Sequence, residues 1–275
     1  MIFQAEDVRA AWDRIAAGFD QFVTVPGMPV AEDGLLRAGL TSGMRLLDVA
    51  SGSGALSVPA ARHGARVSAV DLSPNMIERL KARANREGLP NIDARVMDCH
   101  ALDFPDETFD ITASQFGVML VPDQPQALDE MVRVTRTGGR VLMICYAEPS
   151  EIEFLSIFIG AMRTAVPGFE GLPSDPLPLE FQVANPDALR KRMVDAGLRD
   201  VRIETGAEEL EIHAGKELWD WVTNSNPIGR MLVADLNDEQ RLGVLQALDD
   251  AVKARSSETA PAIVTNPVHF GIGTK

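Results

Sequence analysis

The stretch Met44-Arg45-Leu46-Leu47-Asp48-Val49-Ala50-Ser51-Gly52-Ser53-Gly54-Ala55-Leu56-Ser57 constrains the fold more than any other. Leu46, Leu47 and Val49 form an apolar run of strand length. The run stops at small residues, and the segment from Ala55 reads as the first turn of a helix. Strand, glycine turn and helix N-terminus together open a βαβ unit. Gly52 and Gly54 lack a Cβ, so the main chain can take positive φ and a ligand can lie against it. The free N–H groups of the helix start face the same space.

Strands and helices alternate after this turn. Arg66–Val70 reads as strand two, ending at Asp71. Ser73-Pro74 is an N-cap with Pro at the first helical position, and that helix runs to about Arg86 before Gly88-Leu89-Pro90. Ile92–Met97 is strand three, ending at Asp98, and Phe109–Ser114 is strand four. Ala127–Val134 reads as a helix capped by Gly138-Gly139, and Val141–Cys145 as strand five. Pro59 is expected to kink the helix after the glycine turn unless it lies in the first turn. This alternation predicts a mostly parallel sheet with right-handed crossovers.

The flanks are less regular. Val8, Ala11, Trp12, Ile15 and Phe19 space out an amphipathic helix over residues 5–22, either docked on the body or serving as a lid. A Pro/Gly-rich loop (Pro26, Gly27, Pro29) leads to strand one. Residues 150–184 read as an inserted cap, Asn185-Pro186-Asp187 starts a helix that ends at Gly197, and Val201–Thr205 is strand six. Residues 215–255 read as helical, with an Asn237/Gln240 capping box, and Ala262–Ile272 as the last strand. One domain results: residues 1–40 as a helical lid, 41–147 as the cofactor core, 148–260 as cap, strand six and helices, and 261–275 as the last strand.

A net charge of −14 opposes binding to a phosphate backbone or to anionic lipid, so no nucleic-acid or membrane partner is expected. Cys99 and Cys145 form no C-x-x-C pair and no His/Cys cluster, so neither a disulfide framework nor a metal site is expected. Met1–Asp7 lacks a basic and apolar leader, and the longest apolar run, Phe154–Met162, is too short to span a bilayer. The expectation is a cytoplasmic, soluble protein, monomeric or homodimeric.

Asp48, Asp71 and Asp98 fall at the carboxyl ends of strands, where parallel α/β sheets bind ligands. Asp71 follows Gly54 by seventeen residues, near the spacing at which an acid accepts from ribose hydroxyls. A dinucleotide would call for Gly or Ala at position 57, where Ser57 stands, and its pyrophosphate would meet Asp48. A cationic ligand fits better. S-adenosylmethionine has a ribose, an adenine that Asp98 can read, an ammonium and a sulfonium.

Four segments carry a family likeness in order: Leu47–Gly54, Val70–Met76, Met97–Cys99 with Phe104–Asp110, and Glu130–Val134 with Gly138-Gly139-Arg140. With them the chain resembles the class I S-adenosylmethionine-dependent methyltransferases, in the ubiquinone/menaquinone-methyltransferase-like (type 11) branch. The resemblance implies a Rossmann-like, doubly wound, mostly parallel seven-stranded sheet with an antiparallel last strand and a helical cap insertion. It implies that Asp48, Ala50, Ser51, Gly52 and Gly54 hold the methionine end. Asp71 would take the ribose, Leu72 and Met76 the adenine face, and Asp98 and Cys99 the adenine edge. Ser114, Gln115 and Phe116 would lie beside the sulfonium. Ala50 stands where many members have Gly, and Phe19 where many have Tyr.

S-adenosylmethionine is thus the expected cofactor, S-adenosylhomocysteine the product, and a hydrophobic or aromatic small molecule the acceptor. O-, N- and C-methylation by in-line transfer stay open, and no metal is called for. The candidates for acceptor contact are Trp12, Phe19, Met119, Phe158, Met162 and Trp219; Phe158 and Met162 at helical spacing, and Trp219 beside Trp221, also read as core of the cap. No His–Asp pair announces a base, so no catalytic residue is assigned. His100 reads as a solvated loop residue, His63, His213 and His269 as structural, and Cys99 as a small buried residue rather than a nucleophile. Asp123, Asp129 and Glu130 read as solvated helix acids. A nicotinamide-dependent reductase and a catalytically silent cofactor-binding protein are the alternatives.

Overall fold

Leu46, Leu47 and Val49 are fully buried in the interior of the sheet. The computed structural model describes residues 5–172, 176–257 and 260–275. Its strands are β1 (Arg45–Val49), β2 (Arg66–Asp71), β3 (Ile92–Val96), β4 (Phe109–Gln115), β5 (Thr135–Tyr146), β6 (Arg199–Ile212) and β7 (Ala262–Thr274). They stand in the order β3-β2-β1-β4-β5-β7-β6. β1 pairs in parallel with both β2 and β4, whereas β7 runs antiparallel to β5 and β6. The chain winds outward from β1 to β3, then crosses to β4, so a crevice opens at the carboxyl ends of β1 and β4.

The helices are α1 (Ala5–Phe22), α2 (Met28–Arg37), α3 (Ser57–Arg62), α4 (Pro74–Glu87), α5 (Gln124–Val134), α6 (Glu153–Ala165), α7 (Pro186–Asp195), α8 (Gly215–Ser225), α9 (Pro227–Leu232) and α10 (Asp238–Lys253). α2, α3 and α4 pack on one face of the sheet around Leu35, Val58 and Leu80. α5 and α7 cover the other around Leu128, Met131 and Leu189. The cap is a third cluster, in which α6, α8 and α10 bury Phe158, Leu218 and Leu248 against the far ends of β6 and β7. No helix among the described residues is long and apolar enough to cross a membrane.

The caps behave as their residues dictate. Ser73 Oγ accepts from the Met76 N–H at 3.1 Å, and Asn237 and Gln240 close a reciprocal capping box. Pro59 falls in the first turn of α3, the position exempted above, and that helix is only six residues long. The structure departs from expectation in three places. Residues 28–37 form α2 rather than a loop, because Pro29 sits in the first turn, where no N–H is needed. Gly138-Gly139 do not cap α5, since Thr135 already begins β5 and the glycines lie where the register against β4 shifts. β6 runs on to Ile212, seven residues past Thr205, because Glu208, Leu210 and Ile212 alternate inward with Glu209 and Glu211 outward.

Gly54 shows why the turn after β1 needs small residues. Its φ is +102°, and a Cβ there would stand 2.4 Å from Leu80 Cδ1 on α4. Gly54→Ala is expected to cost about 2–4 kcal/mol from left-handed strain and overpacking together. Urea unfolding at equilibrium measures it, and a loss under about 0.5 kcal/mol would contradict this packing account.

Candidate active site

The turn after β1 is held from β2. Ala50 takes φ +55° and Gly52 φ +52°, so the chain passes twice through the left-handed region. Left-handed backbone costs an L-residue about 1–2 kcal/mol, a cost that glycine at position 50 would avoid. A Cβ at Gly52 would come within 3.2 Å of the Phe19 ring of α1, which lies over the turn. The Gly52 N–H donates to Asp71 Oδ2 and the Ser73 N–H to Asp71 Oδ1, both at 2.8 Å. Burial pushes the Asp71 carboxyl up to about 6, against the pull of these two donors.

Asp48 is 1% exposed and accepts from Ser57 Oγ at 2.5 Å. Burial pushes it up to about 7; the Ser57 hydroxyl opposes the rise and the Asp71 charge adds to it. The residue that argued against a dinucleotide therefore serves the acid beneath the turn.

Beyond the end of β3, Asp98 and His100 pair. Asp98 Oδ1 lies 2.6 Å from His100 Nδ1 and accepts from the His100 N–H at 2.9 Å. This corrects the reading of His100 as a solvated loop residue, and it supplies a His–Asp pair that was not visible in the sequence. His100 Nε2 is buried without a partner among the described residues. The ligand atoms of the consecutive residues Asp98, Cys99 and His100 lie within 4.8 Å of one another, which corrects the reading that Cys99 belongs to no His/Cys cluster. Burial pushes the Cys99 thiol up to about 12, which keeps the sulfur protonated and unreactive.

At the end of β4, Ser114 Oγ donates to the Val49 carbonyl at 2.8 Å and accepts from the Val118 N–H at 3.0 Å. Ser114 thus stitches β4 to β1 and is spent on structure. Gln115 Nε2 donates to the Gly27 carbonyl at 2.8 Å, leaving Oε1 buried without a partner among the described residues. Phe116, at φ +54°, stacks on Tyr146 with ring centroids 4.2 Å apart and planes 7° from parallel.

The far end of the cavity was not foreseen. Tyr146 Oη donates to Glu208 Oε2 at 2.8 Å, and Asn266 Nδ2, opposite Glu208 on β7, donates to the same oxygen at 3.3 Å. Burial pushes the Glu208 carboxyl up to about 7 and the Tyr146 phenol upward as well. Phe154 packs edge-on against Tyr146 at 5.7 Å. Glu180, in a short 3-10 turn at Leu179–Phe181, is raised by burial and approached by Asn226 Nδ2 at 3.5 Å.

One cavity joins these parts. It is lined by Asp48, Ala50, Ser51, Gly52, Asp71, Leu72, Met76, Asp98, Cys99, Gln115 and Phe116, and also by Trp12, Phe19 and Met119. Gly54 and Ser114 stand outside it, one packed on Leu80 and the other bonded to β1. Phe158, Met162 and Trp219 are also outside; they belong to the apolar cluster between α6, α8 and α10. Tyr146, Phe154, Glu180, Glu208, Ile228 and Leu232 line it instead. The alternation Glu208-Leu210-Ile212 is the one sequence signal that places an acid on an inward strand face. Asp123 is the N-cap of α5, accepting from the Gln126 N–H at 3.0 Å, and Glu130 holds Arg133 and the Leu102 N–H, so neither is a merely solvated acid.

Residues 47–143 match the family model described as "Methyltransferase domain". The chain is 45% identical over 109 residues to an uncharacterized protein of Mycobacterium tuberculosis, a match covering 40% of this chain and 39% of that one. It is 32% identical over 168 residues to the demethylmenaquinone methyltransferase of Renibacterium salmoninarum, covering 59% of this chain and 68% of that one. Its fold superimposes with a TM-score of 0.61 on the Haemonchus contortus phosphoethanolamine N-methyltransferase 2 complex with phosphomonomethylethanolamine and S-adenosylhomocysteine. That comparison has 17% identity and covers all of this chain and 60% of that one. The chain belongs to the class I S-adenosylmethionine-dependent methyltransferase family.

Asp48, Asp71 and Glu208 each hold a proton more tightly folded than unfolded. Their contribution to stability is complete below the unfolded carboxylate range and is lost as pH rises through about 6 to 7. Urea unfolding should therefore show stability falling between about pH 4 and pH 7. Asp48→Asn should make that fall smaller. An equal or steeper fall in the variant would refute the assignment.

Proposed function

We propose that the chain transfers a methyl group from S-adenosylmethionine to a hydrophobic or aromatic small molecule. The observation that carries this reading is the single cavity running from Asp71 and Asp98 at the strand ends, past Phe116, into an apolar chamber under the cap. The donor set suits the cofactor. Asp71 keeps lone pairs for ribose hydroxyls after accepting two N–H groups. Leu72 and Met76 would cover the adenine, with Asp98 and the Cys99 N–H at its edge. Ala50, Ser51 and Gly52 would hold the methionine end above Asp48. The orphaned Gln115 Oε1 is a buried acceptor in want of a donor.

The cofactor supplies an electrophilic methyl group on a sulfonium. The protein's part is to align an acceptor and exclude water. Phe19 and Trp12 of α1 close the cavity on one side, and Val222, Ile228 and Leu232 of α8 and α9 close it on another. Two buried free thiols suit a reducing, cytoplasmic setting.

Titration calorimetry tests the reading. S-adenosylmethionine and S-adenosylhomocysteine should bind and NADPH should not; tight NADPH binding without S-adenosylmethionine affinity would return the chain to the nicotinamide class. Asp71→Ala should weaken S-adenosylhomocysteine binding by about 1.5–3 kcal/mol, the range for a hydrogen bond to a charged group. Unchanged affinity would sink the ribose assignment.

A further inference from the structure

Five acids line the cavity, and no Lys or Arg lines it among the described residues. Asp48, Asp71 and Asp98 stand at the strand ends, where the cofactor reading uses them. Glu180 and Glu208 do not. They come from the cap and from β6, and that reading gives them nothing to do.

Both are buried beyond nine-tenths, at 7% and 1% exposure. Tyr146 and Asn266 occupy Glu208 Oε2, and Oε1 has no partner among the described residues. Glu180 Oε2 is buried with no partner there either. An unpaired carboxylate in an apolar chamber is costly, and its charge is relieved by a proton or by a cation. Phe116, Tyr146 and Phe154 line the same cavity, and the chain as a whole carries −14, which favours a cation.

We propose that Glu180 and Glu208 form an ammonium subsite in the acceptor half of the cavity, and that the methyl acceptor is a basic amine carried on an apolar body: a glutamate takes the ammonium proton, the freed nitrogen lone pair forms the N–C bond as the methyl's C–S bond breaks, and S-adenosylhomocysteine leaves as the neutral thioether. This rests on the methyltransferase reading and narrows its acceptor. The same chamber disfavours a carboxylate- or phosphate-bearing acceptor, which would meet two acids and no cationic side chain. Tyr146 and Asn266 act as positioning residues that hold one oxygen of Glu208 and leave the other for the ligand.

The test is calorimetry on the full chain saturated with S-adenosylhomocysteine. The probes are matched trios, each an ethylamine, an ethanol and a propionate built on phenyl, naphthyl and indolyl bodies. At least one body should bind tenfold more tightly as the amine than as the alcohol, with its acid the weakest of the three. Glu208→Gln and Glu180→Gln should each bring amine and alcohol within threefold while S-adenosylhomocysteine affinity stays within twofold. That affinity also reports that the variants are folded, and if one fails to fold the other reads the same preference. No amine preference on any body, a preference for the acids, or no binding of any trio by a chain that binds S-adenosylhomocysteine overturns the proposal. A preference unchanged in both variants overturns the residue assignment. Failure to bind S-adenosylhomocysteine itself overturns the methyltransferase reading instead.

Discussion

The Asp71 carboxylate ties the turn after β1 to the start of α4. One oxygen takes the N–H of Gly52, from the turn after β1, and the other takes the N–H of Ser73, the cap of α4. Ser73 in turn donates its hydroxyl to Asp13 of α1 at 2.5 Å, and Arg83 of α4 donates to Asp20 of α1. The glycine turn, α4 and α1 are therefore parts of one polar network centred on one half-buried acid. Within it Phe19 rests on Gly52, so the wall of the cavity and its floor are set by the same contacts. A lid over residues 5–22 has to act from this docked position, held by Asp13 and Asp20.

Local chemistry is what made the first half of the chain legible. Ser73-Pro74 and Asn185-Pro186 announce helix starts whatever surrounds them, and an apolar run ending in an acid announces a strand that stops at the ligand edge. The three strand-end acids and the glycine turn follow from that level, whereas the antiparallel last strand came only with the family resemblance. Pro29 misled because a proline punctuates a loop and opens a helix equally well, and only the neighbouring packing decides. Gly54 and Ser114 sit one step from the ligand edge, where sequence adjacency does not separate a contact from a support.

The second half was harder to read for a different reason. Helical spacing identifies an apolar face but not what it faces. Phe158 and Met162 turn into the cap's own core, while Phe154, four residues before Phe158, reaches the cavity. Tyr146, Glu208 and Asn266 come from three strands, and Glu208 lies sixty-two residues from Tyr146 along the chain. No local pattern reports such a meeting. The alternation of Glu208 with Leu210 and Ile212 was the available trace, and it registers only once β6 is known to continue that far.

That continuation has a mechanical meaning. β6 and β7 pair without a break from Ile212–Ala262 to Arg202–Ile272, so the ribbon that carries the cap helices is the same ribbon that completes the central sheet. Cap and core share a spine: Glu208 in the cavity wall and Ile203 in the central sheet stand on one unbroken strand. The residues 47–143 that match the family model end before that ribbon begins. The half that carries the cap helices thus lies outside the matched segment, yet one continuous ribbon ties it to the sheet that segment builds.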